Sequence, residues 1–159
     1  MLGTAVGGGA GGVVQTQGPS FNNTTLSTIN AAGTTAAFGV DTTATGVGAQ
    51  AGSPGAPAAG ATAYGAYASA QSPGTTAIGY RAVASFRGSV AIGNQAQAIA
   101  DPATAIGDNS LASGNDSVAV GASAQATANR AVAIGAGSVA DQPNTVSVGA
   151  PGAERRITN

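Results

Sequence analysis

The 159-residue chain contains no histidine, cysteine, lysine or tryptophan, and its charged side chains are five arginines and six acids. Without His, Cys or Lys the commonest general bases and nucleophiles are missing, and the six acids are scattered along the chain. The net charge of −1 gives no electrostatic reason to expect nucleic acid or a membrane surface as partner. These absences predict a protein that is not an enzyme.

Two longer patterns are missing as well. No apolar run approaches the roughly 20 residues of a membrane span, and residues 1–12 lack the basic start and apolar core of a signal peptide. The absence of cysteine excludes disulfides without deciding the compartment. We therefore expect a soluble fragment that makes no direct contact with a membrane.

Alanine supplies most of the 43% hydrophobic residues. It buries little apolar area for each residue that folding orders. At roughly 25 cal/mol per Å² of buried area, against about 1.5 kcal/mol of ordering entropy per residue, an isolated Ala/Gly-rich chain would fold poorly. Repetition and oligomerisation are the expected remedies.

A glycine that ends the pattern Ala-(Ile/Val/Tyr)-Gly recurs at every fourteenth position. It occurs in seven copies, with serine replacing the alanine in the last one: Gly65, Gly79, Gly93, Gly107, Gly121, Gly135 and Gly149. Such a period is typical of proteins that stack structural units along one axis. Gly48 lies three positions too far before the series, which an insertion at 52–57 explains, and Phe38-Gly39 is out of phase and predicted to be coil.

Each repeat contains two stretches that alternate with period two. Counted from the motif glycine, positions −3 and −1 are β-branched or aromatic, whereas position −2 is Ala or Ser. Positions +3 and +5 are uniformly small, and position +4 between them varies. Alternation of this kind indicates two strands, each with two distinct faces. The charged residues gather between the strands, which predicts turns there.

A repeat of this length accommodates two short strands and two turns, which predicts an all-β, parallel β-roll with two strands per coil. Seven coils at about 4.8 Å each would form a rod of about 34 Å. We expect Val and Ile at −3 and −1 to fill the narrow interior. The −2 alanines would then face outward and pack against identical chains as an alanine wall: Ala77, Ala91, Ala105, Ala119 and Ala133. The alternative is a monomeric solenoid with a solvated alanine face.

The motif glycine has two structural interpretations. It either adopts a positive φ to leave the first strand, or leaves room for a neighbouring backbone. No amphipathic helix follows triplets such as Gly135-Ala136-Gly137, so a nucleotide site is not expected.

Three copies, at 89–93, 117–121 and 131–135, resemble the Ser-Val-Ala-Ile-Gly-x-x-Ser/Ala motif of YadA-like trimeric autotransporter adhesin heads. The resemblance covers about residues 60–159. It departs from the motif at Thr62, Thr76 and Thr104, where Val is expected, and at Tyr64, where Ile is expected. It implies a left-handed roll assembled as a homotrimer on the surface of a Gram-negative bacterium. It also implies binding to host matrix proteins such as collagen, or to host cells.

The same resemblance divides the chain. Residues 1–20 would form a flexible Gly-rich leader, and 21–143 the β-roll head, with regular repeats from about 60 and degenerate coils before. Residues 144–159 would form a neck leading to an absent coiled-coil stalk and outer-membrane anchor. The implied neck residues are Glu154, Arg155, Arg156 and Ile157. An arginine would pair with carboxylates such as a neighbour's Glu154, and Ile157 would begin an apolar seam. An exposed charged tail is the alternative.

No metal, cofactor or catalytic site is expected. Four of the aspartates, Asp101, Asp108, Asp116 and Asp141, occupy four different phases of the repeat, so they cannot stack into a line of calcium ligands. Ice binding would need threonine in one outward phase through most coils. Position −3 mixes Thr with Val, and we expect it to be buried.

The variable exterior offers one candidate ligand surface. Tyr80, Arg81, Phe86 and Arg87 fall within a single coil, and aromatic residues mixed with arginine are enriched at interface hot spots. Shielding of a turn is the alternative role for these four. For the whole protein the sequence predicts a host-binding adhesin head, with a structural spacer or a trimeric phage-fibre segment as alternatives.

Overall fold

The computed structural model describes the backbone of two strands near the N-terminus, Val13–Gln17 and Thr24–Thr28, and residues 35–158. Every regular element in these parts of the chain is a β-strand, and they contain no helix that could cross a membrane. The strands are β1 (Val13–Gln17), β2 (Thr24–Thr28), β3 (Ala36–Ala37), β4 (Thr43–Thr45), β5 (Gln50–Ala51), β6 (Thr62–Tyr64), β7 (Ser69–Ala70), β8 (Thr76–Ile78), β9 (Val83–Ala84), β10 (Val90–Ile92), β11 (Gln97–Ala98), β12 (Ala103–Ile106), β13 (Leu111–Ala112), β14 (Ser117–Val120), β15 (Gln125–Ala126), β16 (Val132–Ile134), β17 (Val139–Ala140) and β18 (Val146–Ser147).

These strands form two sheets. The even-numbered strands, with β1 added at one end, make a ten-stranded sheet, and the odd-numbered strands from β3 to β17 make an eight-stranded sheet. β1 and β2 are antiparallel, whereas the regular coils pair in parallel with partners one repeat apart, as in Ala91↔Ala105 and Ala105↔Ala119. Each repeat therefore adds one strand to each sheet, which confirms the predicted all-β parallel roll.

Hydrogen bonds between coils hold the stack together. The backbone N–H of Gly93 donates to the carbonyl of Ile78 at 2.8 Å, and that of Gln97 donates to the carbonyl of Ser110 at 2.8 Å. Both sheets repeat these bonds from coil to coil, so strands of two or three residues suffice to pair the backbone polar groups. The period of the sequence is therefore the period of the hydrogen-bond ladder.

The interior of the roll holds only small side chains. Alanines of both sheets, such as Ala91 of β10 and Ala98 of β11, are 0% exposed, and within residues 35–158 no fully buried side chain is larger than threonine. The predicted alanine wall is wrong, because its members lie inside the single chain: Ala77, Ala91, Ala105, Ala119 and Ala133, each 0% exposed. Val and Ile at −3 and −1 face outward instead. The two sheets pack closely where alanine faces alanine, and the buried threonines, such as Thr75, lie just before the strands.

The motif glycine combines both predicted roles. From Gly65 to Gly135, φ lies between 103° and 136°. A Cβ on Gly65 would lie 2.6 Å from the carbonyl oxygen of Gly79 in the next coil. Because any side chain would both strain the turn and collide with the adjacent backbone, glycine is required here. Gly149 differs in that its Cβ would meet the oxygen of Ala153 at 2.6 Å.

The coils before Gly65 depart from the regular repeat spacing. β4 pairs with β6 in the register Thr43↔Thr62, so Gly46 occupies the motif position that the sequence had suggested for Gly48. The insertion is therefore two residues longer than the sequence suggested, and it contains a short antiparallel bridge, Ser53↔Ala56. Phe38–Gly39 lies outside any strand, as predicted.

Only Val13–Gln17 of the predicted flexible leader, 1–20, is described. These residues form β1 and pair with β2, so the leader prediction is wrong for them. The remainder of the leader lies outside the described residues.

Candidate interaction surfaces

The outer face of the ten-stranded sheet carries a continuous, mostly apolar surface, here called the outer stripe. Its members are Thr62, Tyr64, Thr76, Ile78, Val90, Ile92, Thr104, Ile106, Val118, Val120, Val132 and Ile134. They remain partly or largely accessible, with Ile106 at 37%, Ile134 at 46% and Tyr64 at 57%. Contiguous apolar patches of this kind mark interaction sites on soluble proteins.

The outer stripe holds the larger apolar side chains that the interior excludes. Complete burial of one Val or Ile contributes roughly 1.5–3 kcal/mol, more than the small alanine side chain contributes. Position −3 within the stripe faces outward, against the expectation that it is buried. Its Thr and Val residues alternate irregularly, so Thr62 and Thr76 are separated from Thr104 by a valine. No unbroken threonine ladder runs along residues 62–146.

A second surface lies at one edge of the roll, where the chain passes from the ten-stranded to the eight-stranded sheet. We call it the tyrosine edge, defined by Tyr67, Tyr80 and Arg81. The rings of Tyr67 and Tyr80 meet edge to face with centroids 6.2 Å apart. The Arg81 guanidinium carbon lies 5.2 Å from the Tyr80 centroid and 5.9 Å from that of Tyr67. Such cation–π contacts orient an arginine without occupying its hydrogen-bond donors.

Phe86 and Arg87 do not join this cluster. They follow β9 and precede β10, so they lie at the opposite edge, where the chain returns to the ten-stranded sheet. Their side chains are exposed there, with Phe86 at 45%. We call this turn the phenylalanine edge. The predicted four-residue ligand surface is thus divided by the roll, because residues adjacent in sequence sit on either side of β9.

The sequence prediction assigned Tyr67 to the variable exterior but not to the four-residue cluster. Tyr67 precedes Arg81 by one full repeat, and both occupy position +2 with φ of 59° and 54°. This spacing was the signal available in the sequence. The Tyr67 ring also lies over Gly48, where a Cβ would come within 2.8 Å of it. Because Gly48 has no side chain, the Tyr67 ring can pack against its backbone.

Further along the same edge the side chains become polar. The Asn94 amide donates to Asp108 Oδ1 at 2.6 Å, and the Asn109 amide donates to Asp108 Oδ2 at 2.8 Å. Asp108 is thus held by amides of its own coil and the preceding one. The last aromatic side chain along this edge is therefore Tyr80.

Arg155 closes the C-terminal end of the roll. In earlier coils the N–H at position +2 donates to the carbonyl at +1 of the preceding coil, as Gly137 does to Ala122 at 2.8 Å. After Gly149 this position is Pro151, which has no N–H. Arg155 Nη2 donates instead to the orphaned carbonyl of Ala136 at 2.6 Å, while Nη1 donates to Ser138 Oγ at 3.0 Å.

The Arg155 guanidinium also takes the place of a missing backbone. A Cβ on Gly135 would meet Arg155 Nη1 at 3.1 Å, whereas in the preceding coils it would meet the next motif glycine. A cleft of about 400 Å³ opens beside this cap, between β17 and β18, and Val146 within it is 65% exposed. The cap therefore covers one edge of the last coil and leaves the strand surface beside it open.

The other implied neck residues are exposed. Glu154 Oε1 accepts a hydrogen bond from the Gly152 N–H at 2.9 Å, and this bond lowers the pKa of the carboxyl below its usual 4.5. Ile157 is 87% exposed. Within residues 35–158 no arginine pairs with a carboxylate, and Arg155 donates to the Ala136 carbonyl and the Ser138 hydroxyl. Pairing between neighbouring chains stays a prediction.

Metal-binding chemistry is not apparent in the described part of the chain, where no three His, Cys, Asp or Glu residues come together. Its two edges and outer stripe instead offer surfaces for other macromolecules. Fold and surface together define a repetitive β-roll with a mostly apolar face along its length.

Comparison with known proteins identifies the family. The family model of the YadA head domain repeat matches residues 70–96, 98–124, 112–138 and 126–150. The crystal structure of the collagen-binding domain of the Yersinia adhesin YadA is similar, at 30% identity and a TM-score of 0.59. The match covers 82% of this chain and 78% of that one. A comparison with curated sequences gives no significant match.

The chain belongs to the YadA-like trimeric autotransporter adhesin heads. Membership makes it an adhesin-type protein of the bacterial cell surface. The resemblance based on the Ser-Val-Ala-Ile-Gly copies is confirmed.

Proposed function

We propose that the protein is a homotrimeric adhesin head that attaches a Gram-negative bacterium to host extracellular matrix, with collagen as the first ligand to test. The proposal rests on the outer stripe, because this chain belongs to a family of trimeric adhesin heads and the stripe offers a surface on which three chains can pack. Three copies would turn this stripe toward a common axis and leave the edges and the eight-stranded sheet for the host.

Three-fold assembly is supported by where the apolar side chains lie. The interior is filled with alanine, and the Ile and Val residues of the outer stripe remain partly or largely exposed within residues 35–158. Parallel packing of identical chains would cover every coil of the stripe with the same coil of its neighbours. In a closed ring of three chains, the stripe of each chain is covered by the stripes of the other two.

Matrix binding is supported by similarity. The related Yersinia domain is collagen-binding by its description, and the two chains match over most of their lengths. We further propose that residues 144–159 form the neck to a stalk and that the protein is anchored in the outer membrane. The Arg155 cap supports a junction at this point, because it ends the hydrogen-bond ladder of the roll.

Two measurements test the proposal. Sedimentation at micromolar concentration should give a folded trimer, and a folded monomer would overturn the assembly. Immobilised collagen, laminin and fibronectin should then be probed with the trimer, with serum albumin as control. Saturable binding to collagen is the expected result. A folded trimer that binds none of the three would instead be a spacer without a ligand of its own.

A further inference from the structure

We propose that the tyrosine edge of one protomer and the phenylalanine edge of its partner form one cleft at the seam between them, and that this cleft binds an acidic, proline-rich extended segment. The inference rests on the proposed trimer and matrix-binding function, and names the site and the ligand chemistry. Each trimer would carry three equal clefts.

The topology of a single chain places the two edges on opposite sides of the roll. Tyr80 and Arg81 lie between β8 of the ten-stranded sheet and β9 of the eight-stranded sheet. Phe86 and Arg87 lie between β9 and β10, where the chain returns. β9 crosses the roll between Arg81 and Phe86. The two edges of one protomer are therefore separated by the width of the roll, and six residues of extended chain can span up to about 20 Å.

Symmetry brings these edges together between protomers. If the outer stripes face a three-fold axis parallel to the roll, rotation by one third of a turn sets the tyrosine edge of each protomer against the phenylalanine edge of the next. Because the protomers are parallel, equal coils lie at equal heights. Arg81 of one protomer and the partner's Arg87, which come from the same coil, then face each other across the seam.

The side chains in this seam have unused binding capacity. Tyr67, Tyr80 and Phe86 are 48%, 44% and 45% exposed. Arg81 and Arg87 are exposed and form no hydrogen bond or ion pair through their guanidinium groups with residues 35–158. Two arginines that converge and form no ion pair within residues 35–158 favour an anionic ligand, and their planar groups match a carboxylate.

The aromatic side chains favour proline. A polyproline II helix presents proline rings to aromatic side chains without a large loss of conformational entropy. With a rise of about 3.1 Å per residue and three residues per turn, a single turn of about 9 Å is long enough to pass both rings, whose centroids lie 6.2 Å apart. A proline-rich strand lying along the seam would meet both rings, while an acidic side chain on it would reach the arginine pair.

Chemical cross-linking tests the seam, because the chain has no cysteine of its own. The double variant Arg81→Cys, Arg87→Cys, treated as folded trimer with a short bismaleimide, should give covalent dimers and trimers on a denaturing gel. Arg81→Cys alone and Arg81→Cys with Arg130→Cys are the controls, since Arg130 lies three coils away. A sedimenting trimer in which the double variant links no better than these controls would overturn the seam.

Peptide binding tests the ligand chemistry. The probes are triple-helical peptides of Gly-Pro-Pro repeats that carry either glutamate or lysine at the same positions. The trimer should bind the glutamate peptide at least about tenfold more tightly, and Arg81→Ala with Arg87→Ala should remove this preference. Arg130→Ala is the matched control and should leave it intact.

Two outcomes separate this inference from the proposed function. Equal affinity for both peptides, or a preference that survives the double alanine variant, would overturn the cleft while collagen binding still stood. A folded trimer that binds neither peptide nor collagen would overturn both. A protein that is monomeric in solution would overturn the trimer, and the seam with it.

Discussion

The two sheets of the roll have the same inner face and different outer faces. Inside, both present alanine at almost every coil. Outside, the ten-stranded sheet repeats β-branched and aromatic residues, whereas position +4 of the eight-stranded sheet changes from Val83 to Gln97, Leu111 and Gln125. A uniform inner face is what the narrow interior demands. A uniform outer face on one sheet alone is what the proposed packing of that sheet against identical chains would require.

The inner face should be the least tolerant part of the molecule. Ala105→Glu would place a carboxylate in an interior that accepts nothing larger than threonine, and an unpaired buried charge costs at least about 3–5 kcal/mol. We expect this variant to lose its β-rich circular dichroism at room temperature. The control Ala122→Glu lies on an exposed turn and should shift stability by no more than about 0.5 kcal/mol. Equal effects of the two variants would contradict the alanine interior.

The outer faces of the two sheets should respond differently to the same charge. Ile106→Glu in the outer stripe is expected to shift the protein from trimer toward monomer, because three carboxylates would meet near one axis. Gln97→Glu on the eight-stranded sheet should leave the trimer intact. Sedimentation velocity of the two variants at equal concentration measures this contrast. If both remain trimeric, the stripe is not the assembly surface.

Two glycines near the same coil separate steric collision from backbone strain. Gly65→Ala combines a positive φ with a Cβ placed 2.6 Å from the Gly79 oxygen, and we expect a loss of about 2–3 kcal/mol in the free energy of unfolding. Gly60→Ala has a φ of 69° with open space around the added atom, so about 1 kcal/mol is expected. Urea denaturation of both variants provides the comparison. A smaller loss at Gly65 than at Gly60 would contradict the close approach.

The Arg155 cap should have a measurable but smaller effect. Arg155→Ala leaves the Ala136 carbonyl without its donor, and loss of one charged hydrogen bond at a partly exposed site costs about 1–2 kcal/mol. Arg156→Ala is the control because that side chain makes no bond within residues 35–158. Thermal unfolding followed by circular dichroism measures the difference. Matching melting temperatures would show that the end of the roll does not depend on the cap.

The carboxyl of Glu154 should contribute the smallest effect. Its pKa is lowered in the folded state by the Gly152 N–H, so its stabilisation is present above the usual pKa of 4.5 and is lost as pH falls through the folded value. Wild type should therefore lose slightly more stability than Glu154→Gln when the pH is lowered from 6 to 3. Parallel melting curves at these pH values provide the test.

Several features followed from the sequence because they depend only on spacing. The period of the repeat is the ladder spacing itself, so the two strands and the turns between them could be located without coordinates. The glycine roles followed for the same reason. Which face of the first strand points into the roll did not follow from spacing. Alternation shows that Ala91 and its neighbours Val90 and Ile92 lie on opposite faces, but it does not say which face is inside.

The error about the first strand has a physical cause. Large apolar residues normally occupy the interior, because sheets packed face to face are about 10 Å apart. This roll joins its sheets through turns of a few residues, and between the strands the narrow gap holds Ala91 while Val90 faces outward. The side chains best suited to a core are thus pushed to the surface, where another chain can cover them.

The repeat in the sequence determined a stack of two-stranded coils, because backbone hydrogen bonding fixes one register for a fixed period. The tertiary structure decided the rest, because contacts between distant residues depend on how the coil closes. It put alanine inside, divided Tyr80 and Arg81 from Phe86 and Arg87, and added Tyr67 to the former pair. It also placed the Arg155 guanidinium against the Ala136 carbonyl, because Pro151 has no N–H that could donate to it.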